Sequence, residues 1–238
     1  MILCTAVVGA GRMGSVIAAQ LPRKTRKIII DIDLQQAARV ARMTGGEAFD
    51  ALDAAAAADL VAVVLPAPMV GGIVEQLIDL AKPGAVILNM ATTARIDPAV
   101  SGKRSDVSVV DAKIVGHARS MSEGEAAMIV VGSEDPGILA RIRSQLPGFR
   151  QVAAGDPDLV AEINRIGSAE AIRAAVRIRR ELSRRGIPED WIDLAIRTVC
   201  AGTMKAFVEG DLGDFARVLV REVERELDGP PPGTNFPI

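Results

Sequence analysis

The sequence contains no tyrosine, one histidine, two cysteines, one tryptophan and five phenylalanines in 238 residues. Without tyrosine there is no phenolic proton donor, so reductases built on a Tyr-x-x-x-Lys pair are excluded. A zinc centre needs three or four Cys, His or carboxylate ligands, and Cys4 and Cys200 stand far apart with only His117 to help, so no metal is expected. An excess of one charge is also missing. The net charge is −2, with 24% charged and 49% hydrophobic residues, which fits neither a disordered chain nor a basic nucleic-acid-binding protein. No apolar run reaches the roughly 18 residues that cross a bilayer. The longest, around residues 60–65, is stopped by Pro66 and Pro68, so no membrane partner is expected. Few cysteines and no basic leader with a cleavage site after Met1 together predict a cytoplasmic protein.

What the chain does have is alternation. Short β-branched runs at residues 3–8, 27–31, 60–65, 85–89, 107–111 and 128–131 are separated by Ala-rich amphipathic stretches. This pattern predicts βαβ units around a parallel sheet. Helices are expected at 11–21, 34–43 and 70–81, stopped by Pro22, by Gly45-Gly46 and by Pro83-Gly84 respectively. The texture changes at Gly155. Asp156-Pro157 has the form of an N-cap followed by proline in the first helical turn, and residues 157–185 should form one helix about 43 Å long. Further helices are expected at 188–209 and 214–227, then an extended tail beginning Gly229-Pro-Pro-Pro-Gly. The fold class is thus α/β, a Rossmann-type doubly wound, mostly parallel sheet (1–155) followed by a small all-α domain (156–238) with one long interdomain helix.

Gly9-Ala-Gly11-Arg-Met-Gly14 sits between the first strand and the first helix, the context in which G-x-G-x-x-G binds a dinucleotide. Gly9 permits the tight turn, Gly11 lets backbone approach a pyrophosphate, and Gly14 lets helix and strand pack closely. Arg12 and Met13 stand between the last two glycines. Asp31 closes the second strand, where a carboxylate accepts hydrogen bonds from ribose hydroxyls and, with Asp33, repels the extra phosphate of NADP. NAD is therefore the expected cofactor. Arg12, Arg39 and Arg42 leave NADP open, since guanidinium groups can meet a 2′-phosphate. The Arg177, Arg179, Arg180, Arg184 and Arg185 cluster is matched by Glu170, Glu181 and Glu189, so it is expected to be a solvated helix end and not a nucleic-acid contact.

Over nearly its whole length the chain resembles the β-hydroxyacid dehydrogenase and 6-phosphogluconate dehydrogenase superfamily. Asn89-Met-Ala-Thr92-Thr93, followed by Ile96-Asp97-Pro98, is similar to the family's Ser-Thr segment, with Ala91 in place of Ser. Asp111-Ala-Lys113-Ile-Val115-Gly116-His117, with Gly124 beyond, is similar to its substrate-binding stretch Asp-Ala-Pro-Val-Ser-Gly-Gly. Here Lys113 replaces Pro, Val115 the carboxylate-binding Ser, and His117 the second Gly. The segment from Ile163 to Ala171 resembles the part of the family's long helix that follows its catalytic lysine, which is missing here. Counting back places Ala154 at its position, and no lysine occurs between Lys113 and Lys205. Gly116-His117 is also similar to a Gly-His loop of prephenate and arogenate dehydrogenases.

The resemblance implies hydride transfer between NAD(P) and a small carboxylate-bearing substrate of hydroxyacid or ketoacid type. Leu65 and Pro66 would form a lip and Thr92 would lie near the nicotinamide ribose. Lys113, His117 and Asn164 would carry the catalytic roles, with Gly116 and Ser168 touching substrate. Asn164 and Ser168 are four residues apart and share one helix face. A prephenate-type dehydrogenase or an imine reductase using His117 or Lys113 is the alternative, and a non-catalytic NAD(P)-binding protein is a third. The short helical part predicts a homodimer, in which two long helices pack together and each chain completes the other's site.

Overall fold

A computed structural model describes residues 3–228. The proline-rich tail expected from Gly229 lies outside the described residues. The chain divides into two compact units, Met1–Ile166 and Gly167–Ile238.

The first unit is built on an eight-stranded sheet of order β3-β2-β1-β4-β5-β6-β7-β8. Its strands are β1 (Cys4–Val8), β2 (Arg26–Ile30), β3 (Glu47–Phe49), β4 (Leu60–Val63), β5 (Val86–Asn89), β6 (Ser108–Val115), β7 (Met128–Val131) and β8 (Gln151–Ala154). All neighbours run parallel except β6 and β7. Side chains alternate between the two faces of each strand, so one sheet makes two cores. Val7, Ile29, Ala62 and Leu88 pack with α1 (Arg12–Gln20), α2 (Leu34–Thr44) and, at its far side, α6 (Pro136–Gln145). Val8, Ile30, Val63 and Ile87 pack on the opposite face with α3 (Ala67–Leu80). Burial on both faces is why β4 and most of β1 and β5 read as apolar runs. β1 lies between β2 and β4, and α1 and α3 leave its neighbourhood on opposite faces, opening a crevice at the carboxyl ends of the strands.

Several elements differ from expectation. β4 ends at Val63 and α3 begins at Ala67, so Pro66 and Pro68 start a helix, as its N-cap and in its first turn, where a missing N–H costs nothing. β6 does not stop at residue 111. It pairs in parallel with β5 from Ser108 to Asp111, then changes partner and pairs antiparallel with β7 from Ala112 to Val115. The short strands β3 and β8, the helix α6 and the single-turn α4 (Pro98–Ser101) and α5 (Ala118–Ser122) join the expected elements.

The long helix is α7 (Asp158–Arg184), 27 residues. The second unit begins within it and continues through α8 (Glu189–Leu194), a π-helical stretch (Ala195–Cys200), α9 (Ala201–Glu209) and α10 (Asp214–Asp228). No helix among the described residues is long and apolar enough to cross a membrane.

The tightest junction is the start of α1. A Cβ at Gly14 would stand only 1.8 Å from the Gly9 carbonyl oxygen, a backbone atom that cannot swing aside. Gly14→Ala is therefore expected to lower unfolding free energy by about 3 kcal/mol, the upper range for overpacking, in urea denaturation. An unchanged midpoint would show that α1 starts elsewhere.

Candidate active site

The glycine loop follows β1 directly, and each glycine has a different reason to be there. Gly9 has φ of 101°, and a Cβ on it would meet the Val64 carbonyl oxygen at 2.3 Å. Gly9 and Gly14 are thus demanded by the protein itself. Gly11 is not: its φ is −68°, and a Cβ there would find no atom within 4 Å. The open space lies at the N-terminus of α1, where no side chain caps the helix and no acidic residue sits in the first turn. Amide N–H groups in such a place favour an anion, and the free space above Gly11 fits a pyrophosphate.

The loop is fixed from the side of β2. The Ala10 N–H donates to Asp31 Oδ2 at 2.7 Å, and Gln36 Nε2 donates to the Ala10 carbonyl at 2.6 Å, so both polar groups of this residue are tied. Asp31 Oδ1 accepts from the Asp33 N–H at 3.0 Å, while Asp33 caps α2 by accepting from Gln35 and Gln36. Each Asp31 oxygen keeps a further lone pair for a ribose hydroxyl. Arg12, Arg39 and Arg42 are all exposed, and Arg39 Nη2 donates to Gln36 Oε1 at 2.6 Å. Gln36 was not among the expected site residues. Asp33-x-x-Gln36 has the spacing of a helix-capping box, which marks a helix start but not the reach to Ala10.

Beyond the loop lies a cavity of about 240 Å³. Met13 of α1, Leu65 after β4 and Thr92 after β5 line it, as do Gly116 at the end of β6 and Asn164 of α7. Val64, Met90, Ala91 and Ile114 complete the wall. Five sequence-predicted residues therefore come together here, all within the first unit. A Cβ at Gly116 would stand 2.9 Å from Ala127 Cβ and 3.1 Å from Met121 Sδ, so packing alone requires that glycine. Asn164 Nδ2 donates to the Ile114 carbonyl at 2.9 Å, which orients the carboxamide and directs its oxygen away from that carbonyl.

Other expected residues fall elsewhere. Pro66, at the N-cap of α3, is exposed and does not line the cavity. Ser168 is exposed and belongs to the second unit. His117 is exposed at the start of α5, its Nδ1 3.4 Å from Ser120 Oγ, and its side chain is not part of the cavity wall. Ala154 ends β8 and does not stand on the long helix, so the expected lysine register does not hold in space. Lys113, expected among the catalytic residues, does not line the cavity. It sits in mid-β6 with 1% exposure, on the opposite face from the cavity-lining Ile114, because β6 continues past residue 111. Burial lowers its pKa from the ordinary lysine value despite the opposing pull of Asp111.

With this geometry in view, residues 5–146 match the model of a family described as the NAD binding domain of 6-phosphogluconate dehydrogenase. The chain belongs to that family. A nicotinamide-dinucleotide-binding domain is therefore present, with Gly9, Gly11, Gly14 and Asp31 inside the matched residues. Among curated proteins, none matches this sequence. Among solved structures, a pyrroline-5-carboxylate reductase from Coxiella burnetii is 15% identical, with 98% of this chain and 87% of that chain covered and a TM-score of 0.72. A 3-hydroxyisobutyrate dehydrogenase from Salmonella typhimurium is 22% identical, covering 97% and 90%, with a TM-score of 0.61. An imine reductase from Pseudomonas sp. is 19% identical, covering 94% and 84%, with a TM-score of 0.62. At these identities the likeness concerns the fold.

Because Gly11 is not demanded by packing, Gly11→Ala should lower stability by less than about 1 kcal/mol yet weaken NADH binding about tenfold or more, read by urea denaturation and fluorescence titration. Unchanged binding would place the dinucleotide away from α1.

Proposed function

We propose that this protein is a nicotinamide-dependent oxidoreductase that transfers hydride between C4 of the cofactor and a small carboxylate-bearing substrate in the cavity beside the glycine loop. The observation that carries this reading is that Met13, in the first turn of α1, lines the cavity, so the anion site at Gly11 and the cavity are neighbours. A bound cofactor would supply the hydride. The chain's own residues would then hold the pyrophosphate on α1, accept the adenosine ribose hydroxyls at Asp31, and set Thr92 beside the nicotinamide ribose. Asn164 and the backbone of Gly116 would orient the substrate.

NAD is favoured over NADP. Asp31 and Asp33 put negative charge where a 2′-phosphate would lie, and Ile32 between them is 89% exposed and offers no cation. Arg39 is already engaged by Gln36. NADH is expected to bind about tenfold tighter than NADPH in parallel fluorescence titrations, and the reverse order would overturn this assignment.

A second reading concerns the substrate's electrophile. Among the described residues, Thr92 and Asn164 supply the only polar side chains of the cavity wall, and no acid or base lines it. Reducing a ketone creates an alkoxide that needs a proton donor, whereas a protonated imine already carries its proton and becomes a neutral amine on hydride addition. The wall therefore favours an imine carboxylate, with His117 as the donor in the carbonyl reading. The two part on one comparison. With NADH and matched ketoacids and cyclic imine carboxylates, the imine reading expects turnover of imines and His117→Asn within about threefold of wild type. The carbonyl reading expects ketoacid turnover that falls about 100-fold in that variant. A protein that binds NADH but turns over neither class would contradict the oxidoreductase proposal and support a non-catalytic cofactor-binding protein.

A homodimer is the proposed state. Within the second unit Ile192 is the one buried apolar residue among the described residues, whereas Phe207 is 58% exposed. The π-helical stretch, α9 and α10 instead line an open apolar groove of about 960 Å³ with Val199, Phe207, Leu219 and Val223 on its walls. An apolar face this extensive needs a partner surface, and a second copy of the same helices supplies one with matching chemistry. Sedimentation at micromolar concentration is expected to give a dimer and Phe207→Glu a monomer. A monomeric wild type would contradict the proposal.

A further inference from the structure

Lys113 takes no part in the chemistry proposed above, yet it is fully buried and every N–H of its ammonium group is engaged. Nζ donates to the Ala94 carbonyl at 2.6 Å, to the Asn89 carbonyl at 3.3 Å and to Asp111 Oδ1 at 3.3 Å. Three donors thus meet three acceptors. Asn89 is buried as well and faces Asp111 across the β5–β6 pair. Its Nδ2 donates to the Ala94 carbonyl at 2.8 Å and to Asp111 Oδ1 at 2.6 Å, and its Oδ1 accepts from the Ala91 N–H at 3.1 Å.

These six hydrogen bonds form a closed net that ties both ends of segment 89–94 to one point of β6. β5 ends at Asn89 while β6 continues past it, so the chain beyond Asn89 has no β6 partner and turns over the buried ammonium instead. The middle of that segment, Met90, Ala91 and Thr92, forms one wall of the cavity. Two carbonyls and a carboxylate converge on one buried point, and a cation with three divergent donors satisfies them together where an apolar side chain would leave them short.

We propose that Lys113, with Asn89 and Asp111, is a buried clamp that positions Met90, Ala91 and Thr92 against the nicotinamide end of the cofactor, which makes Lys113 a positioning residue. The inference rests on reading the cavity as the nicotinamide site. It assigns the lysine a role through the wall it holds, on the face of β6 away from the substrate. The adenosine half of the cofactor, bound at Gly11 and Asp31, is outside its reach.

That division supplies the test. Lys113→Met and Asn89→Ser, each checked for a native circular dichroism spectrum, are titrated with NADH and with ADP-ribose, which lacks the nicotinamide. Both variants are expected to bind ADP-ribose within about twofold of wild type and NADH about tenfold more weakly, with a smaller fluorescence gain of the bound ring. Unchanged NADH affinity, or equal weakening of both ligands, would overturn the clamp. If Lys113→Met does not fold, Asn89→Ser decides on the same criteria. Wild-type protein that binds neither ligand would overturn the cofactor reading itself, a result distinct from wild-type binding with no split in the variants.

Discussion

The close approach of three backbone segments at the end of β1 sets the rest of the first unit. The Gly9 carbonyl lies where a Gly14 side chain would begin, and the Val64 carbonyl lies where a Gly9 side chain would begin. That contact fixes where α1 starts relative to β1 and β4, at the point where the sheet's connections reverse direction. From it follow the direction in which the α1 N-terminus faces and the position of Met13 on the cavity wall. Asp31 and Gln36 then hold Ala10 by its N–H and its carbonyl, so the loop is set in place by its neighbours in β2 and α2. A loop already ordered in this way loses less freedom on binding, which favours affinity.

The site separates charge from chemistry. Its wall is apolar apart from Thr92 and Asn164, while the nearest buried cation, Lys113, stands on the far face of β6 and spends its donors on backbone and Asp111. The same wall leaves proton supply to the substrate or to a group outside the cavity.

Much of the fold was legible because its signals are local. The β-branched runs, the proline and glycine stops and the Gly9-Gly11-Gly14 spacing lie within short windows, and they correspond to β1, β2, β4, β5 and β7 and to α1, α2 and α3. Of the cavity residues, Met13 stands in the glycine motif itself, whereas Leu65, Thr92, Gly116 and Asn164 were implied by the family resemblance. What escaped depends on distant partners. β3 and β8 are short strands near or at the sheet edges, with little apolar run of their own. In Asp111-Ala-Lys113-Ile-Val115, the alternation resembles a strand with one solvated face. That face is covered by segment 89–94, whose hydrogen bonds to Lys113 span 24 and 19 residues of sequence, beyond the reach of any local pattern. Likewise, the Asp33-x-x-Gln36 spacing does not disclose that Gln36 reaches back to Ala10.

The central claim is that one crevice, from Gly11 through Met13 to Thr92 and Asn164, holds a nicotinamide dinucleotide in an extended pose. A crystal structure of the protein with NADH tests it most directly. The pyrophosphate is expected on the amide groups at the start of α1, the adenosine ribose on Asp31, and the nicotinamide ring in the cavity with C4 facing Asn164. A cofactor bound away from α1, or a ring lying outside that cavity, would contradict it.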